Sequence, residues 1–173
     1  METINEKFNF IFDAISSELV KSIETMSQVQ FHQSEKVKGS IISKADGKLF
    51  VYPIMGFVTS SAKKTAISGF IALHFNSVDY ESLLQLIFKI PKETKGFDQA
   101  GGEIINMSVG RARQTLAENN LSIHKNIPFC MDYNSIKFSL LEEDIMAEAK
   151  IECEHGQMSL IQCIKEIELD DDQ

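Results

Sequence analysis

In the segment Gly101-Gly102-Glu103-Ile104-Ile105-Asn106-Met107-Ser108-Val109-Gly110, an acid and an amide stand three residues apart. A carboxylate accepts hydrogen bonds and pairs with cations, whereas a carboxamide both donates and accepts. On a helix turning about 100° per residue, with Glu103 at 0°, the residues Gly101, Ile104, Ile105, Ser108, Val109, Ala112 and Leu116 fall between roughly 100° and 240°. That arc faces a core. Gln99, Asn106, Gly110 and Gln114 fall within about 60° of Glu103, with Met107 near 40° and Arg113 near 280° by the same count. Both polar groups therefore point to water, the wrong side for a structural role. A glycine inside a helix costs up to about 1 kcal/mol relative to alanine, so Gly110 needs a reason on a face where packing within the domain does not require it. The close approach of another backbone is one such reason. The small residues Ala100, Gly101 and Gly102 serve either that approach or close packing of the first turn on a sheet.

Spacing alone does not single out the pair. An exposed Glu near a helix start interacts favourably with the helix dipole, and Glu-x-x-Asn recurs at Glu2/Asn5 and Glu6/Asn9. In those copies Asp13 stands four residues after Asn9, and no glycine lies nearby to give a flat surface.

The elements that must position this helix follow from periodicity. Phe8, Ile11, Phe12, Ile15, Leu19 and Ile23 recur at three- and four-residue steps, which predicts an amphipathic helix from about Asn5 to Met26. Short apolar groups follow at Val29-Gln30-Phe31 and Ile41-Ile42. Asp46-Gly47 before Leu49-Phe50-Val51-Tyr52 reads as a hairpin turn. Two further strands are expected over residues 54–59 and 65–75, separated by the polar turn 60–64, which makes the middle a β-meander. Asn76 or Ser77 is suited to cap a helix through Leu83, Leu84, Ile87 and Phe88, with Pro91 as its stop. The helix bearing Glu103 then runs from about Asp98 to Glu118 and closes at Asn119-Asn120. Strands are expected near residues 135–140, 145–153 and 158–169, with His155-Gly156 as the last hairpin turn. This order lacks alternating βαβ units. It predicts an α+β fold: a largely antiparallel sheet with a β-meander and a C-terminal hairpin, packed against a long N-terminal helix and a central helix pair.

Composition bounds the function. A chain of 173 residues with 43% hydrophobic content is expected to form a single domain over residues 1–173. A net charge of −8 disfavours nucleic acid and anionic lipid as ligands, because both require clustered Lys and Arg. No apolar run approaches the roughly 20 residues of a membrane span, so a cytoplasmic location is expected. Cys130, Cys153 and Cys163 suit buried thiols better than disulfides, and His32, His74, His124 and His155 form no metal-ligand spacing. The acidic tail over residues 166–172 reads as a solvated end.

Gly102-Glu103-Ile104-Ile105-Asn106-Met107-Ser108-Val109-Gly110 resembles the signature helix of the CheC/CheX/FliY phosphatases of bacterial chemotaxis. The order of elements is similar to a CheX-like domain over most of the chain, and a single convincing signature helix favours the CheX-like branch over CheC, which carries two. The resemblance implies an enzyme, a hydrolase that removes the aspartyl phosphate of a CheY-like response regulator by inserting this helix beside the regulator's active site. It implies that the Asn106 carboxamide holds the attacking water in line with phosphorus and that Glu103 pairs with the regulator's active-site lysine. Gln99, Met107, Gly110 and Arg113, on or beside the same strip, are the expected partner contacts. No cofactor or metal of the chain's own is implied, since Mg2+ is expected from the regulator; a homodimer is implied as well. Where the family has Asp or Ser four residues before the Glu, this chain has Gln99, and Pro128 stands about where the family tends to place a proline. The alternative reading is a non-catalytic module that uses the same helix to dock a receiver domain or a motor component.

Overall fold

The computed structural model describes residues 4–38, 46–59, 64–132 and 145–167. Helix α1, Ile4–Ser27, buries the expected stripe Phe8, Ile11, Phe12, Ile15, Leu19 and Ile23 completely, as its period requires. Two short strands follow, β1 (His32–Gln33) and β2 (Val37–Lys38). The two long central strands are β3, Lys48–Thr59, and β4, Lys64–Phe75, which pair antiparallel along their whole length.

One continuous β3 replaces the two runs expected on either side of Pro53. Proline lacks an N–H and is tolerated in a strand only where no partner needs that donor. Here the Pro53 carbonyl faces Asn126, in the gap between two short strands on that edge, β5 (Leu121–Ile123) and β6 (Phe129–Asp132). Asp46-Gly47 does not close a hairpin onto β3, because from Lys48 to Val51 its two edges are held by β4 and β6. The apolar pair Ile41-Ile42 and the strand expected over residues 135–140 lie outside the described residues.

Helix α2, Tyr80–Phe88, is preceded by Asn76, whose side-chain oxygen accepts the N–H groups of Val78 and Asp79 at 3.0 and 2.7 Å. Neither expected residue is the N-cap itself, which is Asp79 and makes no side-chain cap bond; Asn76 closes the turn that leads into the helix, while the Ser77 hydroxyl donates to Asp46. The helix stops at Lys89, in a left-handed conformation (φ 55°), before Pro91 is reached. A 3-10 turn, Phe97–Gln99, takes the place of the expected first residues of the next helix, α3, which spans Ala100–Glu118. Gly96, at φ 86°, makes the bend into that turn.

The chain ends in an antiparallel hairpin of β7 (Ile145–Cys153) and β8 (Gly156–Ile167), turned at Glu154-His155. Among the described residues the sheet order is β1-β7-β8-β4-β3-β5, with β2 on β7 and β6 on β3, and every pairing is antiparallel. Alternate residues of β3, Phe50, Tyr52, Ile54 and Val58, share one core with the buried faces of α1, α2 and α3. The intervening Leu49 and Val51 join Ala72, Met146 and Ile161 in a smaller buried cluster on the opposite face. Arg111 of α3 donates to the Ser22 hydroxyl of α1 at 2.7 Å, tying the two long helices together. No helix among the described residues is long and apolar enough to cross a membrane.

Candidate functional site

Helix α3 divides as its periodicity predicts. Gly101, Ile104, Ile105, Ser108, Val109, Ala112 and Leu116 are buried, together with Ala100 and Gly102. Burying the polar Ser108 is compatible with the apolar face because its hydroxyl donates to the Ile104 carbonyl at 2.8 Å, one turn back. Glu103 and Gly110 are exposed and Asn106 is half-buried.

The first turn of α3 settles what its glycines are for. A Cβ on Gly101 would lie 2.3 Å from the Phe50 ring, so this position seats the helix on the sheet. A Cβ on Gly102 would meet Pro128 at 3.5 Å, an ordinary contact. At Gly110 a Cβ would meet nothing within 4 Å. The chain's own packing therefore requires glycine at 101 and not at 110.

Beside α3 lies an open groove of about 720 Å³. Gln99, Gly102, Glu103 and Asn106 form one wall, residues 125–130 form the other, and Phe50 lies between them. Glu103 and Asn106 are neighbours on the helix surface, three residues apart and so about 5–6 Å between Cβ atoms. Gln99, at the N-cap position of α3, makes no side-chain cap bond and faces the same groove. Met107 and Arg113, both half-buried, and Gly110 do not line it; they belong to the continuation of the helix beyond. The groove is bipolar, with the Glu103 carboxylate on one wall and the Lys125 ammonium on the other.

The facing wall is the part that periodicity did not reveal. It is the connection from β5 to β6, two strands of three and four residues, too short for alternation to register. Pro128 was the one visible marker. The connection is pinned: the His124 N–H donates to the Met55 carbonyl at 2.8 Å, the Asn126 N–H to the Tyr52 hydroxyl at 2.9 Å, and the Asn126 side-chain amide to the Pro53 carbonyl at 2.9 Å.

Chemically, the groove offers one acid, Glu103, three amides, Gln99, Asn106 and Asn126, one ammonium, Lys125, and the thiol of Cys130, which is exposed rather than buried as expected; among the described residues no histidine or hydroxyl lines its walls. Such a set can orient a water and pair with charges of either sign on a partner. Among the described residues, no group of three or more His, Cys, Asp or Glu is placed to hold a metal ion.

No family model and no curated protein sequence matches the chain. Solved structures do. A CheC-like superfamily protein from Shewanella sp. PV-4 superposes with a TM-score of 0.69 at 12% identity, covering 90% of this chain and 97% of that one. CheX from Borrelia burgdorferi, in a complex with CheY, BeF3 and Mg2+, gives 0.64 at 11% identity, covering 88% and 96%. A chain of the FliM-SpeE complex from H. pylori gives 0.58 at 10% identity, covering 94% and 89%. At these identities the likeness is one of fold. The chain has the fold of the CheC-like and CheX chemotaxis proteins.

Proposed function

We propose that this chain is a single-domain phosphatase for the aspartyl phosphate of a CheY-like response regulator in bacterial chemotaxis. The observation that carries the reading is the placement of Asn106, half-buried, and Glu103, exposed, on one wall of an open groove in a CheX-like fold. The similarly folded CheX of Borrelia burgdorferi forms a complex with CheY, BeF3 and Mg2+, which supports a CheY-like partner for this chain.

The reaction asks little covalent chemistry of the protein. Phosphoryl transfer proceeds through a loose, in-line transition state, and catalysis comes from positioning and charge stabilisation. The water oxygen bonds to phosphorus as the phosphorus–oxygen bond to the aspartate breaks; the products are the free carboxylate and inorganic phosphate, with the water's protons passing to phosphate and solvent. In this reading Asn106 accepts a hydrogen bond from the water and donates another, fixing its line of attack. Glu103 pairs with the regulator's active-site lysine and keeps α3 in register. Mg2+ belongs to the regulator's acidic pocket. Pairing of two copies of the chain into a homodimer is part of the same proposal.

The test is phosphate release from a phosphorylated regulator with and without this protein. Faster release supports the phosphatase reading. Tight binding with no faster release instead identifies a docking module, a reading favoured by the fold's likeness to FliM.

A further inference from the structure

Ile127 is 84% exposed, yet it stands on a segment that cannot turn it away from water. Asn126 before it is bonded through both backbone and side chain, to the hydroxyl of the buried Tyr52 and to the Pro53 carbonyl. Pro128 after it has a fixed φ and restricts Ile127 to extended conformations. The next apolar residue, Phe129, is 47% exposed, and both line the groove that holds Glu103 and Asn106. A surface turn between two short strands has no internal need for an isoleucine held rigidly outward; single exposed apolar residues are common, but two beside a bipolar cleft form a local patch.

We propose that the Lys125–Phe129 segment is a second docking element for the regulator's receiver domain, with Ile127 as its apolar anchor. This rests on the function proposed above and names how that partner is held. A receiver active site, with its aspartyl phosphate and its lysine, presents charges of both signs in a small area, and the groove answers with Lys125 on one wall and Glu103 on the other. An apolar rim around such contacts excludes water and strengthens them, which is the usual arrangement of an interface anchor. The partner would then be clasped from two sides, by the helix strip that runs on to Gly110 and by the pinned connection across from it.

The test uses the full chain and the receiver domain whose phosphate loss the wild type accelerates most among those of its host. Ile127→Ser should lower kcat/KM about tenfold, carried by KM, with the melting temperature kept, while Ile127→Val should retain most of the wild-type value. Asn106→Ala should instead act on kcat. If Asn106→Ala abolishes activity while Ile127→Ser leaves KM unchanged, the docking inference falls and the phosphatase reading stands. If no receiver domain is dephosphorylated, binding to the same domains loaded with beryllofluoride and Mg2+ decides the docking question: weaker binding by Ile127→Ser supports it, whereas equal binding, or no binding by the wild type, overturns it. Self-association of the wild type that Ile127→Ser abolishes, without any effect on regulator binding, would assign the face to a second copy of this chain and overturn it too.

Discussion

The ring of Phe50 fills the space where Gly101 would carry a side chain, with a ring carbon 2.3 Å from the Cβ position. Phe50 is itself buried, edge-on to Phe75 at 5.8 Å and stacked on Tyr80 at 6.1 Å, so it has little freedom to yield. It also lies in the groove between the two walls. One aromatic residue thus sets how deeply α3 sits on the sheet and therefore where Glu103 and Asn106 stand relative to the facing wall.

Gly101→Ala should accordingly destabilise the protein. The methyl group gains helix propensity worth up to about 1 kcal/mol, but overpacking a well-filled core costs about 1–3 kcal/mol. The melting temperature should fall, and Phe50→Leu in the same chain should recover part of the loss. A Gly101→Ala protein that melts at or above the wild-type temperature would contradict this packing.

Gly110 is the opposite case, since nothing lies within 4 Å of its Cβ position. Gly110→Ala should stabilise the fold by about 0.5–1 kcal/mol, read from denaturant unfolding. Gly110→Leu should remain folded and weaken regulator binding, because its side chain would stand where the partner's backbone is expected to approach. Unchanged affinity in the leucine variant would remove the functional reason for this glycine.

The contrast between these two glycines shows what was legible in the chain. Periodicity alone placed Gly101 on the buried arc and Gly110 on the wet one, and it assigned Glu103 and Asn106 to the same side as Gly110; the structure bears out Gly101, Gly110 and Glu103, whereas Asn106, at the edge of that strip, is half-buried against the groove. The stripe from Phe8 to Ile23 was readable for the same reason, a strong period sustained over several turns. What escaped was set by tertiary pairing. The runs 49–52 and 54–59 read as separate strands because the gap between β5 and β6 that accommodates Pro53 appears only in the paired sheet. Asp46-Gly47 read as a hairpin because the local turn signal carries no information that β6 takes that edge of β3. The wall containing Lys125 and Ile127 belongs to a connection whose conformation depends on Tyr52 and Pro53, more than 70 residues earlier.

Asp46 offers a pH-dependent check on the region where α2 meets the sheet. The Ser77 hydroxyl donates to its carboxylate and, as the largest cause, holds its pKa below the ordinary 3.8 although the group is fully exposed. A carboxyl with a depressed folded-state pKa contributes stability above its unfolded value and loses it as pH falls through the lower folded value. Ser77→Ala should therefore raise the Asp46 pKa towards its ordinary value and remove that acid-side contribution. Titration of the Asp46 carboxyl carbon by NMR measures it directly, and an unmoved midpoint would contradict the assignment.

In the proposed reaction Asn106 positions the attacking water. Asn106→Ala removes a half-buried side chain from the groove wall but gains helix propensity, so stability should shift by no more than about 1 kcal/mol. The decisive measurement is the rate of phosphate loss from the phosphorylated regulator at saturating concentrations of the wild type and of this variant. With Asn106 as the water-positioning residue, the variant should bind the regulator and leave its dephosphorylation at the unassisted rate; a variant that accelerates phosphate loss as the wild type does would contradict that role.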